Sequence, residues 1–345
     1  MLKHIGKILL FTVSMSACSF VFSEESIMTK ALLFKPRPWC VGRFLFDRPT
    51  TSEITSERYE FRGEKLETVR TSSIEKYLED VTRLSSELRH KQRVNPGTNS
   101  KTGRTWLEKE FSPKNNSMVF VYRQFDSESG LDFKTEGYMF ERGTLFHMSG
   151  GIGHASLGQV ENIYKDTYRR IKARDNWMVP TESGFCFDGG IVTGSSTYTE
   201  EVSQSFMLMP GRPALLVIQM RDSAEPDQKE TLTKTLPELR AQLNRLPGHY
   251  RILREGERTI AGMNAEEVLF ELKEGDITSY QFYLLAPGDP STLAKPHTSI
   301  QLLLGTTSFN PNLTPDLATS PVDEAGALQV WDTLLNSLRL RPGAV

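Results

Sequence analysis

The residues best placed to do covalent chemistry in this sequence are His147-Met148-Ser149-Gly150-Gly151-Ile152-Gly153-His154. Glycine-rich backbone can cradle an anion and two histidines can move protons, so a hydrolase built on Gly150–Gly153 and His154 is one reading. The stretch lacks the Lys-Ser/Thr ending of a phosphate loop and the dinucleotide spacing, and a tight connection between strand and helix is the plainer alternative. Thr193-Gly194-Ser195-Ser196-Thr197 lacks the second glycine of a nucleophile elbow and reads as a polar turn, so no catalytic residue is nominated. His90, His147, His154, His249 and His297 are scattered, with no His-Glu-x-x-His helix and no Cys-x-x-Cys, so neither metal nor cofactor is expected. Glu200-Glu201 and Glu266-Glu267 point to opposite faces if they lie on strands. Trp39, Trp106, Trp177 and Trp331 read as core anchors.

Three cysteines remain. If Cys18 leaves with a leader or takes a lipid, Cys40 and Cys186 form an even pair, which in an oxidising compartment suggests one disulfide. The alternative is two separate buried thiols. A loop this long would gain roughly 5 kcal/mol from cross-linking in the chain-entropy model.

The elements that would position these residues follow from periodicity. Val41 to Phe46 reads as an apolar strand ending at Asp47-Arg48-Pro49, followed by strand-like segments at 58–61 and 67–70. Ile74, Leu78, Val81, Leu84 and Leu88 recur at spacings of three and four, which predicts an amphipathic helix. Strands are expected at 105–111, 117–122, 132–140 and 144–148, then a helix from Leu157 to Asp175. The order then repeats. Phe185-Cys186-Phe187-Asp188 restarts what Trp39-Cys40-Val41-Gly42 began, with strands near 201–209 and 214–220 and a helix over 231–246. Strands follow near 258–260, 266–272, 279–284 and 299–304, and a helix over 323–338 closes the half.

This order implies an α+β fold of two similar domains, each a mainly antiparallel sheet packed with two helices. The expected boundaries are 31–176 and 178–345, with two cores and a cleft between the domains. A Cys40–Cys186 bond would tie the domains at their first strands.

The first 23 residues carry a secretory signal: Lys3 and Lys7, then an uncharged apolar run from Ile8 to Val13 that decays through Ser14, Ser16 and Ser19. The run is far short of the about 20 apolar residues of a membrane span, so stable membrane insertion is not expected. Two processing sites compete: cleavage after Ser23, and Met15-Ser16-Ala17-Cys18 as a loose lipobox that would lipidate Cys18. Of 41 basic and 43 acidic residues, cleavage after Ser23 removes two lysines and no acid. A mildly acidic chain offers no basic field for nucleic acid or anionic lipid.

Four segments, spread in order along the chain, resemble the type VI secretion lipase-immunity proteins. They are Trp39 to Pro49, Gly184 to Gly190, Arg251 to Arg258 with Gly262 to Glu267, and Trp331-Asp332 through Ser337 to Pro342. Phe46 and Arg48 depart from the aliphatic residues expected there. The resemblance implies a periplasmic protein that binds a secreted phospholipase effector one to one and covers its active-site entrance or holds its lid. The contact residues are not legible. Asp222 to Asp227 and Pro287 to Pro290, polar and proline-bearing, are the candidate loops.

Overall fold

A computed structural model describes residues 26–126, 133–195, 198–229, 231–245, 249–306 and 313–345. The predicted signal at 1–23 and Cys18 lie outside them.

Helix α1 (Ile27–Leu32) is capped by the Ser26 side chain and leads into a hairpin, β1 (Arg37–Val41) and β2 (Phe44–Arg48). The apolar run predicted as one strand is thus folded back on itself. Gly42, at φ 57°, makes the turn that an uninterrupted apolar pattern conceals. Next come β3 (Glu53–Phe61), β4 (Glu64–Val69) and α2 (Ile74–His90), whose N-cap is Ser73. A small hairpin, β5 (Gln92–Val94) and β6 (Lys101–Thr105), precedes a meander of β7 (Leu107–Phe111), β8 (Ser117–Tyr122), β9 (Phe133–Glu141) and β10 (Thr144–Ile152). Helix α3 (Val160–Arg170) ends earlier than the pattern predicts, because β11 (Ile171–Ala173) is drawn off to pair with a strand of the second half.

That half opens with β12 (Gly184–Phe187) and β13 (Gly190–Thr193), followed by β14 (Glu200–Met207), β15 (Ala214–Arg221) and α4 (Leu232–Leu243). The meander β16 (His249–Ile260), β17 (Met263–Glu274), β18 (Ile277–Ala286) and β19 (His297–Leu304) leads to α5 (Pro315–Ala318), α6 (Glu324–Ser337) and β20 (Arg339–Leu340).

The two domains share a single 12-stranded antiparallel sheet, ordered β16-β17-β18-β19-β15-β14-β3-β4-β10-β9-β8-β7. The order is a palindrome. Each half contributes a first pair followed by a meander, and the halves join edge to edge where β14 pairs with β3. The expected cleft is therefore replaced by continuous hydrogen-bonded sheet. The expected pair of separate cores is also corrected: on the face carrying α3 and α6 the largest apolar cluster runs through both halves, from Phe61, Val121 and Tyr164 to Phe206, Phe282 and Trp331.

On that face the opening hairpins are exchanged. The hairpin β1–β2 extends onto β20 and packs on α6 of the second half, whereas β12–β13 extends onto β11 and packs on α3 of the first. Cys40 and Cys186 are joined where the two hairpins meet, with Cα atoms 6.0 Å apart.

Candidate partner-binding face

Register decides which side of the sheet each helix covers, because directly opposed residues on paired strands point to one face. Starting at Leu145, which packs under Tyr77 and Val81 of α2, the pairs run Leu145–Val69 and, two residues along, His147–Glu67. They continue through Lys65–Glu60, Arg58–Ser203, Ser203–Gln219, Gln219–Ser299 and Gln301–Tyr283 to Val268. Val268 and Phe270 pack under Leu236 of α4. So α2 and α4 stand on the same face at opposite ends. Between them the middle strands present partly exposed side chains that belong to no apolar cluster of the described residues.

The floor of this open face changes character at the β3–β14 joint. In the first half it is a lattice of ion pairs: Arg58 with Glu60, Lys65 with Glu67, and His147 between Glu67 at 3.1 Å and Glu136. Burial opposes a charge on His147, but the bonds to Glu136 and Glu67 outweigh it and raise its pKa, while Lys65 lowers that of Glu67. The ring also stacks on Tyr138, centroids 4.7 Å apart. In the second half the floor carries uncharged polar residues, Ser203, Gln219 and Ser299, beside an apolar strip. Met207 faces Leu215, Leu215 faces Leu303, and Val217 lies between Ser205 and Gln301, all partly exposed.

The two loops singled out from the sequence form one rim of the second half. Ser223 Oγ donates to the Pro287 carbonyl at 2.7 Å, and Gln228 Nε2 to the Pro287 and Gly288 carbonyls. Asp227 accepts two hydrogen bonds of 2.7 Å from Arg221 and one from Ala224 N, and the Arg221 guanidinium holds its carboxyl down at about 2. Beside this rim a groove of about 430 Å³ is lined by Thr231, Thr259, Glu266, Leu285 and Pro287. The rim is rigid because its polar groups are satisfied locally, and it offers shape more than free hydrogen-bonding capacity.

The chemistry candidates are not brought together. Most of the glycine-rich stretch is strand: His147 to Ile152 belongs to β10, and only Gly153 and His154 begin the connection to α3. Its glycines make room for neighbours. A Cβ on Gly150 would lie 2.6 Å from Glu64 Cγ, and Glu64 is itself bonded by Thr135, Tyr164 and Arg62. His147 lies on the open face, whereas His154 stacks on Phe133 of the opposite face. The polar turn at 193–195 gives its carbonyls to Arg170 and Arg43; Ser196 and Thr197 lie outside the described residues. Glu266 receives Thr233 N and Oγ1 on the open face, and Glu267 lies buried on the other. Among the described residues no group of three or more His, Cys, Asp or Glu is arranged to hold a metal, and no helix is long and apolar enough to cross a membrane.

Apart from Glu266, the segments that carried the sequence resemblance mainly build the frame. Arg43 makes a two-pronged bond with Glu200, 2.7 Å each, both buried. Arg48, the departure from an aliphatic, is buried against Trp39, Trp177 and Phe206, with its guanidinium bonded to Ser52. Asp188 ties Arg70 and Asn176 together. Arg254 and Arg258 of β16 meet Glu267 and Asp332, and Trp331 Nε1 donates to Glu267 at 2.9 Å, fixing α6 to the sheet.

Residues 37–174 match the family model described as Tle cognate immunity protein 4 N-terminal domain, and residues 178–343 match the C-terminal domain of the same protein. Among solved structures, the apo immunity protein TplEi of the T6SS from Pseudomonas aeruginosa is similar at TM-score 0.76 and 21% identity, over 91% of this chain and 99% of that chain. The crystal structure of the Tle4-Tli4 complex contains a chain similar at TM-score 0.77 and 22% identity, over 89% of this chain and 98% of that one. TplEi complexed with "L" peptide is similar at 0.71 and 21%. No curated protein matches in sequence. At such identities the structural likeness speaks for the fold; the match of both domain models, over nearly all of residues 37–343, places this chain in the Tle cognate immunity protein 4 family.

Proposed function

We propose that this chain is an immunity protein that neutralises a cognate type VI secreted lipase in the periplasm by tight one-to-one binding, without catalysing a reaction. The observation that carries this reading is the match of both family domains along the chain. The chain similar to this one in the Tle4-Tli4 complex supports a protein partner. Residues 1–23 act as the export signal, with lipidation of Cys18 as the competing route, and the disulfide at Cys40 suits an oxidising compartment.

The contact surface in this reading is the open face between α2 and α4, with the rim at 222–229 and 286–290. A lipase must expose apolar surface where its substrate enters, and the Met207-Leu215-Val217-Leu303 strip is the complementary chemistry on this face. Covering that entrance or its lid is sufficient for neutralisation.

The test mixes the protein lacking residues 1–23 with a candidate type VI lipase effector, and reads complex formation by size exclusion together with residual lipase activity. A 1:1 complex with activity lost at equimolar ratio is expected. Absence of a complex at micromolar concentrations refutes the reading, as does ester hydrolysis by the protein alone that is lost in His154→Ala.

A further inference from the structure

We infer that the fold is closed by a segment remote from the cysteines: residues 339–345 are a clasp that must dock before Cys40 and Cys186 can be joined. The first hairpin extends its ladder onto a strand remote in sequence. Its strand β2 pairs with β20, Phe44 opposite Leu340 and Leu45 opposite Arg339. The Arg341 backbone N–H donates to the Arg43 carbonyl at 3.0 Å. Beyond β20 the Ala344 carbonyl accepts bonds from Arg43 Nη1 and from Gly184 N, and Ala344 is fully buried.

The same few residues also hold the second hairpin. The Arg341 guanidinium is 1% exposed and donates to the carbonyls of Pro180, Glu182 and Gly184, the segment that leads into β12. Gly184, at φ 140°, lies so close to β13 that a Cβ would stand 2.2 Å from the Val192 carbonyl oxygen. Cys186 N then donates to the Gly42 carbonyl at 2.8 Å, which sets the two cysteines side by side.

Cys40 and Cys186 are 146 residues apart, and the segment that contacts both hairpins follows them by more than 150. A strand pair formed before residue 339 is available lacks β20, and the carbonyls of 180, 182 and 184 lack their buried donor. In a chain that crosses a membrane N-terminus first, as the export part of the proposed function requires, the hairpins stay open until residues 339–345 have crossed. The bond then locks a clasp already docked.

Oxidative refolding of the purified chain tests this without any effector and without export, so its outcome is separate from that of the immunity reading. Disulfide formation is followed by thiol alkylation and mass spectrometry for the full chain from Glu24, for a truncation after Leu338, and for Arg341→Ala. The full chain is expected to form the Cys40–Cys186 bond, with the rate at least tenfold lower in both variants. A synthetic peptide of residues 338–345 should restore the rate of the truncated chain, which separates a missing clasp from a general failure to fold. A second measurement uses Cys40→Ser/Cys186→Ser: protection of the 339–344 amides from hydrogen exchange is expected to persist, because docking precedes the bond. Disulfide formation at the full-chain rate in the truncation, or loss of that protection in the serine variant, overturns the inference.

Discussion

Asp222 begins the rim loop and sits against Glu200; burial and that neighbouring carboxylate push its pKa up to about 6. A raised carboxyl favours the protonated folded state, so its contribution to stability is present below the unfolded value near 3.8 and is lost as pH rises through about 6. At pH 7 the ionised Asp222 is therefore a cost. Asp222→Asn should stabilise the fold at pH 7 by up to about 1 kcal/mol after allowance for solvent screening, seen as a higher melting temperature, and the gain should vanish at pH 4. Thermal melts at the two pH values check this; an equal effect at both contradicts it. Gly150 is the second residue-scale case. Gly150→Ala forces a methyl against Glu64 inside a strand and should cost about 1–3 kcal/mol in urea unfolding, while His154→Ala leaves stability nearly unchanged. The sequence marked Gly150 as unusual, but a glycine that makes room for a neighbour and one that cradles an anion leave the same trace until the neighbour is known.

At the scale of elements, what was legible followed from local periodicity. The stripe from Ile74 to Leu88 places α2 correctly, and Asp323 accepts from Gly326 N at the start of α6, where the pattern put the last helix. What failed depended on partners remote in sequence. The Val41–Phe46 run became a hairpin because β20 and α6 cover it, and the end of the second predicted helix became β11 because β13 was there to pair with it. The resemblance motifs were visible as motifs, but their work was not. Glu267 is 5% exposed and serves Arg254, Arg258 and Trp331 together, so Glu267→Ala should cost about 1–3 kcal/mol by leaving the buried Trp331 N–H unsatisfied and the two arginines with Asp332 alone. Arg251→Ala removes a half-exposed guanidinium from the buried Glu271 and the exposed Glu324 and should cost less, about 1 kcal/mol, because Lys273 still pairs with Glu271 at 3.3 Å. Urea titrations of both variants compare them directly.

For the whole molecule, the open face was the least legible feature, because it is made of alternate residues on six strands drawn from both halves and no motif marks it. If it is the binding surface, Val217→Lys and Leu303→Lys should each weaken the complex with the cognate lipase by at least tenfold while leaving the melting temperature within about 2 °C, as read by calorimetry and thermal melts. Lys65→Ala, on the ion-paired side, should change affinity less and mostly through the association rate at low salt. The palindromic sheet order bears on this difference between the sides. Two identical chains joined through the same central strand pair would be a symmetric dimer, obliged to show the same residues on both sides of its axis and suited to a target with matching symmetry. A single covalent chain escapes that obligation: its left and right sides can mutate separately on a shared frame. The charged floor of one half and the apolar strip in the floor of the other are what such freedom permits.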